Sequence, residues 1–229
     1  MPLILRRRAT ALRERMEDPA CDSAQLRVTY EHFGAINRRF SGWQGIYRRY
    51  LRPRLRSGHP TTLLDIGFGG GDIPRRLLEW AERDGLALSI TAIDPDARAA
   101  AFARSLPPRE GLRFEQTETG ALVKRGAHFD IVISNHLLHH LADDELKQLC
   151  RDSARLGTVV LHNDIERADT AYLGFALLSA PFYRGSFITP DGLTSVRRAY
   201  TRPELRAVAP ASWQVTRPYS YRVLLSHGL

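Results

Sequence analysis

The chain has 229 residues, of which 43% are hydrophobic and 25% charged, and it carries a formal net charge of +8. That length and balance suit one soluble α/β domain with a sizeable core and a small appendage, and they exclude a disordered or fibrous chain. Two cysteines, Cys21 and Cys150, without C-x-x-C or metal spacing, and no apolar run near the ~20 residues of a membrane span, lead to the expectation of a reduced, cytoplasmic protein with no membrane span.

In chain order, "MPLILRRR" is too short in apolar residues for a signal-peptide core. The charge is uneven: residues 1–60 hold 13 arginines against 5 acids, and the remainder balances at 20 of each sign. Such an excess fits nucleic acid, an anionic surface, an acidic partner or a solvated helical face. Residues 22–41 read as a helix capped by Asp22 or Ser23, with Leu26, Tyr30, Phe33 and Phe40 near one face. "SGW" breaks it, and a second helix turns Trp43, Ile46, Tyr47 and Tyr50 inward until Pro53 and "SGHP". The pairs Arg38/Arg39 and Arg48/Arg49 fall off the apolar face. Residues 1–58 therefore read as a separable helical cap.

From Pro60 strands and helices alternate. "TTLLDIG", "LALSITAID", "LRFEQ", "FDIVISN" and "GTVVLHND" read as strands, separated by "DIPRRLLEWAER", "DARAAAFARSL" and "ADDELKQLCRDSARL" as helices. An apolar helix at 171–183 follows, then the short helix "TRPELRAVA" and two closing strands around Pro218. Alternation of this kind means a parallel sheet with helices on both faces.

Four features share the carboxyl edge of that sheet, where open α/β folds bind ligands. The first is the glycine turn of "LLDIGFGGGDIP", with Gly67, Gly69 and Gly71 and Asp65 two residues ahead. The dinucleotide fingerprint G-x-G-x-x-G fails here, because Asp72 stands where its third glycine belongs. The second is Asp94, which ends a strand where an acid accepts ribose hydroxyls or caps a helix. The third is Glu118 in "EQTET", and the fourth is "FDIVISNHLLHHL".

Together these residues resemble the class I S-adenosylmethionine-dependent methyltransferases, in the small-molecule subgroup that methylates quinones and related compounds. The resemblance runs from about Leu63 to Leu229. It implies a Rossmann-like, doubly wound, seven-stranded and mostly parallel sheet with an antiparallel last strand near 219–226. It also implies S-adenosylmethionine as cofactor, held by Asp65, Gly67, Phe68, Gly69, Gly71, Asp94, Pro95 and Asn135. Glu118 and Thr119 stand where the family usually has Asp-Ala at the adenine. The domain would span 59–229, with 167–200 a substrate-covering insertion and 1–58 a lid whose removal spares the cofactor site. After Ser134 neither a Pro-Pro-aromatic nor a Pro-Cys motif occurs, so a nucleic-acid substrate is not expected; an acidic partner for the basic N-terminus stays open.

Methyl transfer needs an acceptor held in line and, for a phenol or enol, a base. His136, His139 and His140, with His162 nearby, are the candidates near neutral pH, and no metal is expected. The aromatic helix pair and the insertion, with Tyr172, Phe175, Phe182, Tyr183 and Arg197, would enclose a flat aromatic or lipophilic acceptor. Two other readings stand beside this one: an NAD-linked oxidoreductase, and a catalytically silent methyltransferase-fold binding protein.

Overall fold

A computed structural model describes residues 4–179 and 184–229. Chain order gives α1 (Ser23–Phe40), α2 (Trp43–Ile46), β1 (Thr61–Ile66), α3 (Asp72–Arg83), β2 (Leu88–Asp94), α4 (Ala97–Ser105) and β3 (Leu112–Gln116). Then come α5 (Thr119–Lys124), β4 (Phe129–Asn135), α6 (Asp143–Leu156), β5 (Gly157–Ile165), α7 (Asp169–Ser179), α8 (Ile188–Arg198), α9 (Arg202–Val208), β6 (Gln214–Thr216) and β7 (Arg222–His227). The strands form one seven-stranded sheet in the order β3-β2-β1-β4-β5-β7-β6. Strands β1 to β5 are mutually parallel, and β7 lies antiparallel between β5 and β6. This is the sheet the resemblance implies.

Strands β1, β4 and β5 are buried nearly end to end, as a parallel sheet covered on both faces requires. The sheet reverses its order between β1 and β4, so the carboxyl ends of these two strands open a crevice there. Helix α1 begins where the Asp22 carboxylate accepts from the backbone of Ala24 and Gln25, as its cap residue foretold. Helix α2 continues as a wider turn over Tyr47–Leu51 and a tight turn over Arg52–Arg54.

The expected boundary near residue 58 does not separate two cores. Trp43, Ile46, Tyr47, Leu51 and Leu55 pack in one cluster with Leu63 of β1 and Ile73 and Leu77 of α3. The Arg38/Arg39 and Arg48/Arg49 pairs are exposed, as expected. Residues 4–22, which the sequence leaves without a role, form a strap across the insertion. Asp169 accepts from the amides of Ile4 and Leu5, the Ala9 amide donates to the Arg197 carbonyl, and Asp191 accepts from Arg15 and Met16. Buried Arg167 donates to the Leu5 and Arg6 carbonyls from the other side. No helix among the described residues is long and apolar enough to cross a membrane.

Candidate active site

A cavity of about 600 Å³ runs along the carboxyl edge, beneath α1, α7 and α8, in the range of small-molecule sites. One end is built by the turn after β1. Amides of Gly67 and Phe68 donate to the Ile93 carbonyl, tying that turn to β2, and Gly67, Gly69 and Gly71 all have positive φ. Gly67, Phe68 and Gly69 line the cavity; Gly71 does not, since it sits behind the turn as the residue preceding α3.

Three acids converge on this end. Asp94 accepts from the Gly69 amide at 3.0 Å and the Asp96 amide at 2.9 Å, which fixes its carboxylate at the rim with lone pairs to spare. Burial raises its pKa despite those bonds. Asp65 is buried and lines the cavity. Burial first, then the charges of Asp72 and Asp94, push its pKa well above the ordinary carboxylate range, and no described donor holds it. An unpaired buried carboxylate is costly unless a ligand supplies the partner. Asp72 accepts from the Asn37 amide at 3.2 and 3.0 Å and, chiefly through burial, is raised to about 6. A cationic nucleoside with an ammonium group fits this donor-hungry end.

Pro95 and Asn135 line the cavity as expected, whereas Glu118 and Thr119 do not. Glu118 is exposed, and Thr119 opens α5 with its hydroxyl donating to Asp152. The departure from Asp-Ala thus coincides with a side chain outside the cavity.

The three histidines occupy different electrostatic positions. His136 has φ 58, an uncommon conformation for a non-glycine residue that marks functional sites. Its Nε2 accepts from Arg222 Nη1 at 2.6 Å. Burial, then the guanidinium, hold its pKa well below the usual value. It is a neutral imidazole with its lone pair already engaged, so it is not free to take an acceptor's proton. Arg222, buried on β7 and lowered to about 10 by burial, also donates to Asn163 and Asn135. Asn163 in turn donates to the Asn135 side chain and the Ser41 carbonyl.

His139 donates through Nδ1 to Asp164 at 2.8 Å and through Nε2 to Glu14 at 3.2 Å. Burial opposes its charge, but the charge and hydrogen bond of Asp164, with Glu14, raise it to about 9. Asp164 is held below the ordinary carboxylate range, its burial outweighed by His139. His140 donates through Nδ1 to Glu17 at 2.5 Å, and Arg198 holds the same carboxylate at 2.8 Å. Burial would raise Glu17, yet His140 and Arg198 bring it to about 2. His162 lies apart: it is wholly buried, hydrogen-bonded to Ser134 and stacked on Trp213.

Of the six aromatics expected to cover the acceptor, Tyr30, Phe33 and Phe40 line the cavity, while Trp43, Tyr47 and Tyr50 belong to the main core. In the insertion Phe175 lines it and Tyr172 does not; Arg197 faces solvent, and buried Arg198 takes the interior position. Phe182 and Tyr183 lie outside the described residues. Sequence reading missed Glu14, Glu17, Asp164, Asp191 and Arg222. Asp164 carried a usable signal, an acid at the carboxyl end of a buried strand beside Asn163. Glu14 and Glu17 carried none, because only the strap's tertiary course brings them to the histidines.

A family model described as "Methyltransferase domain" matches residues 63–157. The ubiquinone biosynthesis O-methyltransferase of Ruegeria pomeroyi is 28% identical over 168 residues, 66% of this chain and 65% of that protein. The protein of the same name from Dinoroseobacter shibae is 26% identical over 158 residues, 62% of this chain and 61% of its own length. The chain thus matches less than two thirds of the length of these relatives. Among solved structures, human N-acetylserotonin methyltransferase in complex with SAM superposes with a TM-score of 0.60 at 12% identity, covering 91% of this chain and 57% of that one. The plantazolicin methyltransferase BpumL, bound to a pentazolic desmethylPZN analog and SAH, gives 0.55 at 13% identity, with coverage of 89% and 94%. At such identities the likeness is one of fold.

Proposed function

We propose that this chain, a member of the class I S-adenosylmethionine-dependent methyltransferases, moves a methyl group to oxygen or carbon of a flat, lipophilic small molecule of phenolic, quinone-like or polyketide type. The observation that carries the reading is the polarity of its cavity. Unpaired Asp65 and rim-held Asp94 stand at the glycine-turn end, and aromatic and aliphatic side chains of α1, α7 and α8 line much of the remainder. S-adenosylmethionine supplies, when bound, a methyl group already activated on a sulfonium.

In this reading Asp94 accepts the ribose hydroxyls, and Asp65 answers the positive charge of the methionine part. Gly67 and Gly69 let backbone approach closely. Phe33, Phe40 and Phe175 hold the acceptor and exclude water, and burial of one aromatic face is worth about 1.5–3 kcal/mol. Positioning of this kind can supply about 7–11 kcal/mol of the barrier. Neither His136, engaged by Arg222, nor His139, which donates through both ring nitrogens, is free to take the acceptor's proton, which leaves His140 Nε2 as the remaining imidazole nitrogen at the cavity.

Absence of the third fingerprint glycine argues against the oxidoreductase reading, and the intact glycine turn with Asp94 argues against a silent binding protein. Calorimetry with S-adenosylmethionine and with NADH, followed by mass spectrometry of a phenol and polyketide panel for one added methyl, tests the reading. Micromolar NADH binding without S-adenosylmethionine binding would overturn it.

A further inference from the structure

The far end of the cavity holds two histidines arranged in the same unusual way. His139 gives its Nδ1 to Asp164 at 2.8 Å, and His140 gives its Nδ1 to Glu17 at 2.5 Å. Both rings therefore present Nε2 to one shared carboxylate, Glu14: His139 Nε2 lies 3.2 Å from Oε1 and His140 Nε2 lies 3.9 Å from Oε2. Suitable donor atoms of these three side chains all fall within 4.8 Å of one another. Donors about 2.0–2.2 Å from a common ion stand roughly 3–3.5 Å apart, so the first pair already has the right separation and the second needs a small rotation of His140, the more exposed ring.

From this convergence we propose that Glu14, His139 and His140 form a binding site for a divalent transition-metal ion, open toward the acceptor chamber. The supporting atoms match such a site. Ligating histidines characteristically donate their second nitrogen to a carboxylate, which fixes the tautomer and aims the lone pair; here both do so. The carboxylate ligand is itself anchored, by Ser195 Oγ donating to Glu14 Oε1 at 2.5 Å. Charge favours a cation as well. Glu14, Glu17, Asp164 and Asp191 outnumber the guanidiniums that act on them, Arg15, Arg198 and Arg222. With neutral imidazoles, a net negative charge remains for the cation to offset. Two nitrogens and one oxygen suit zinc, manganese or ferrous ion, and exclude a preference for the all-oxygen coordination of calcium. Binding displaces the His139 Nε2 proton now shared with Glu14. All three side chains line the cavity, leaving the remaining coordination positions toward the acceptor. A chelating pair of oxygens on the acceptor, such as adjacent hydroxyl and carbonyl groups, would occupy them. That last step rests on the methyl-transfer reading; binding of the ion does not.

The test uses full-length protein stripped with a chelator and then titrated with zinc or manganese alone by calorimetry, with elemental analysis of the protein as purified. One equivalent per chain at micromolar affinity or tighter is expected. His140→Ala should lose at least tenfold, and His227→Ala, far from the cavity, should lose nothing. Cobalt loading gives visible bands that should disappear in His140→Ala and in Glu14→Gln, with circular dichroism reporting whether each variant is folded. Failure of full-length protein to take up one equivalent, or undiminished binding in folded His140→Ala, overturns the site. S-adenosylmethionine affinity measured on the same stripped protein separates the two ideas. Cofactor binding without metal binding sinks the site alone, and metal binding without cofactor binding sinks the methyl-transfer reading alone.

Discussion

Replacing Gly71 by alanine should cost more stability than the same change at Gly126, which the structure supplies as a matched control. Gly71 has φ +71, and an added Cβ would stand 2.8 Å from Phe114 Cζ and 3.0 Å from Cε1. Gly126, at the end of α5, has nearly the same backbone, φ +67, with nothing within 4 Å. Both substitutions incur the left-handed penalty of roughly 1–2 kcal/mol, but only the first also overpacks, at roughly 1–3 kcal/mol. The expected losses are about 2–5 kcal/mol for Gly71→Ala and about 1–2 kcal/mol for Gly126→Ala. Urea unfolding of both variants measures the difference. The crowding has a functional reach, because Phe114 packs edge-on against Phe68 at 4.8 Å between ring centroids, and Phe68 lines the cavity. Gly71→Ala should therefore weaken S-adenosylmethionine binding as well, while Gly126→Ala leaves it unchanged. Equal unfolding midpoints for the two variants would refute the reasoning, since the shared φ cost would then be the whole effect.

Asp94→Ala should weaken S-adenosylmethionine at least tenfold with the fold retained, each lost charged hydrogen bond being worth about 1.5–3 kcal/mol; equal affinity by calorimetry would mean the ribose lies elsewhere. His162, buried and lowered to about 3 chiefly by desolvation, binds its proton more readily in the unfolded chain. Its contribution to stability is full above pH 6.5 and is lost as pH falls toward 3, at about 1.4 kcal/mol per unit. In acid titrations of stability, His162→Phe should lose less than wild type over that window, and parallel curves would contradict the assignment. Arg222→Met should destabilise by about 3–5 kcal/mol, because Asn135, Asn163 and His136 all lose a buried charged donor; an unchanged thermal midpoint would show that the network carries no stability. A chain starting at Ser57 should fail to fold, since it lacks Trp43, Ile46 and Leu51 of the main core; cooperative unfolding of that fragment would reinstate a separable cap.

The sheet was legible because its signals are local. Apolar runs ending in Asp65, Asp94 and Asn135 set strand ends on one edge, and the glycines after Asp65 mark the turn. How the cap packs was not legible for a physical reason. Trp43, Ile46 and Tyr47 show a helical apolar face, but periodicity does not say which core that face meets. "LHH" announced histidines at the edge without revealing their states. Those are decided by Arg222, Asp164, Glu14 and Glu17, which stand between 25 and 125 positions away from their partners. The adenine contact expected of Glu118 and Thr119 rested on alignment to a motif, and the two side chains go to solvent and to Asp152 instead.

The arginine excess also takes on structural content. Arg8 lies over the Tyr200 ring at 3.4 Å and donates to the carbonyls of Arg198, His139 and Leu141. One of the N-terminal arginines thus fastens the strap to the same 138–141 segment that carries the paired histidines. Glu14 and Glu17 lie six and nine positions further along that strap, so the grip of Arg8 at one end and of Asp191 on Arg15 and Met16 at the other sets where their carboxylates stand. Glu14, Met16 and Glu17 of this strap line the cavity, and Arg8→Ala should perturb acceptor turnover before it perturbs cofactor affinity. Asp65, Gly69 and Asp94, the residues proposed to hold the cofactor, hang from β1 and β2 and have no described contact with Arg8, whereas the His139 carbonyl accepts from it. Kinetics that showed cofactor binding weakened and turnover at saturating cofactor unchanged would reverse that ordering and return the strap to a purely structural role.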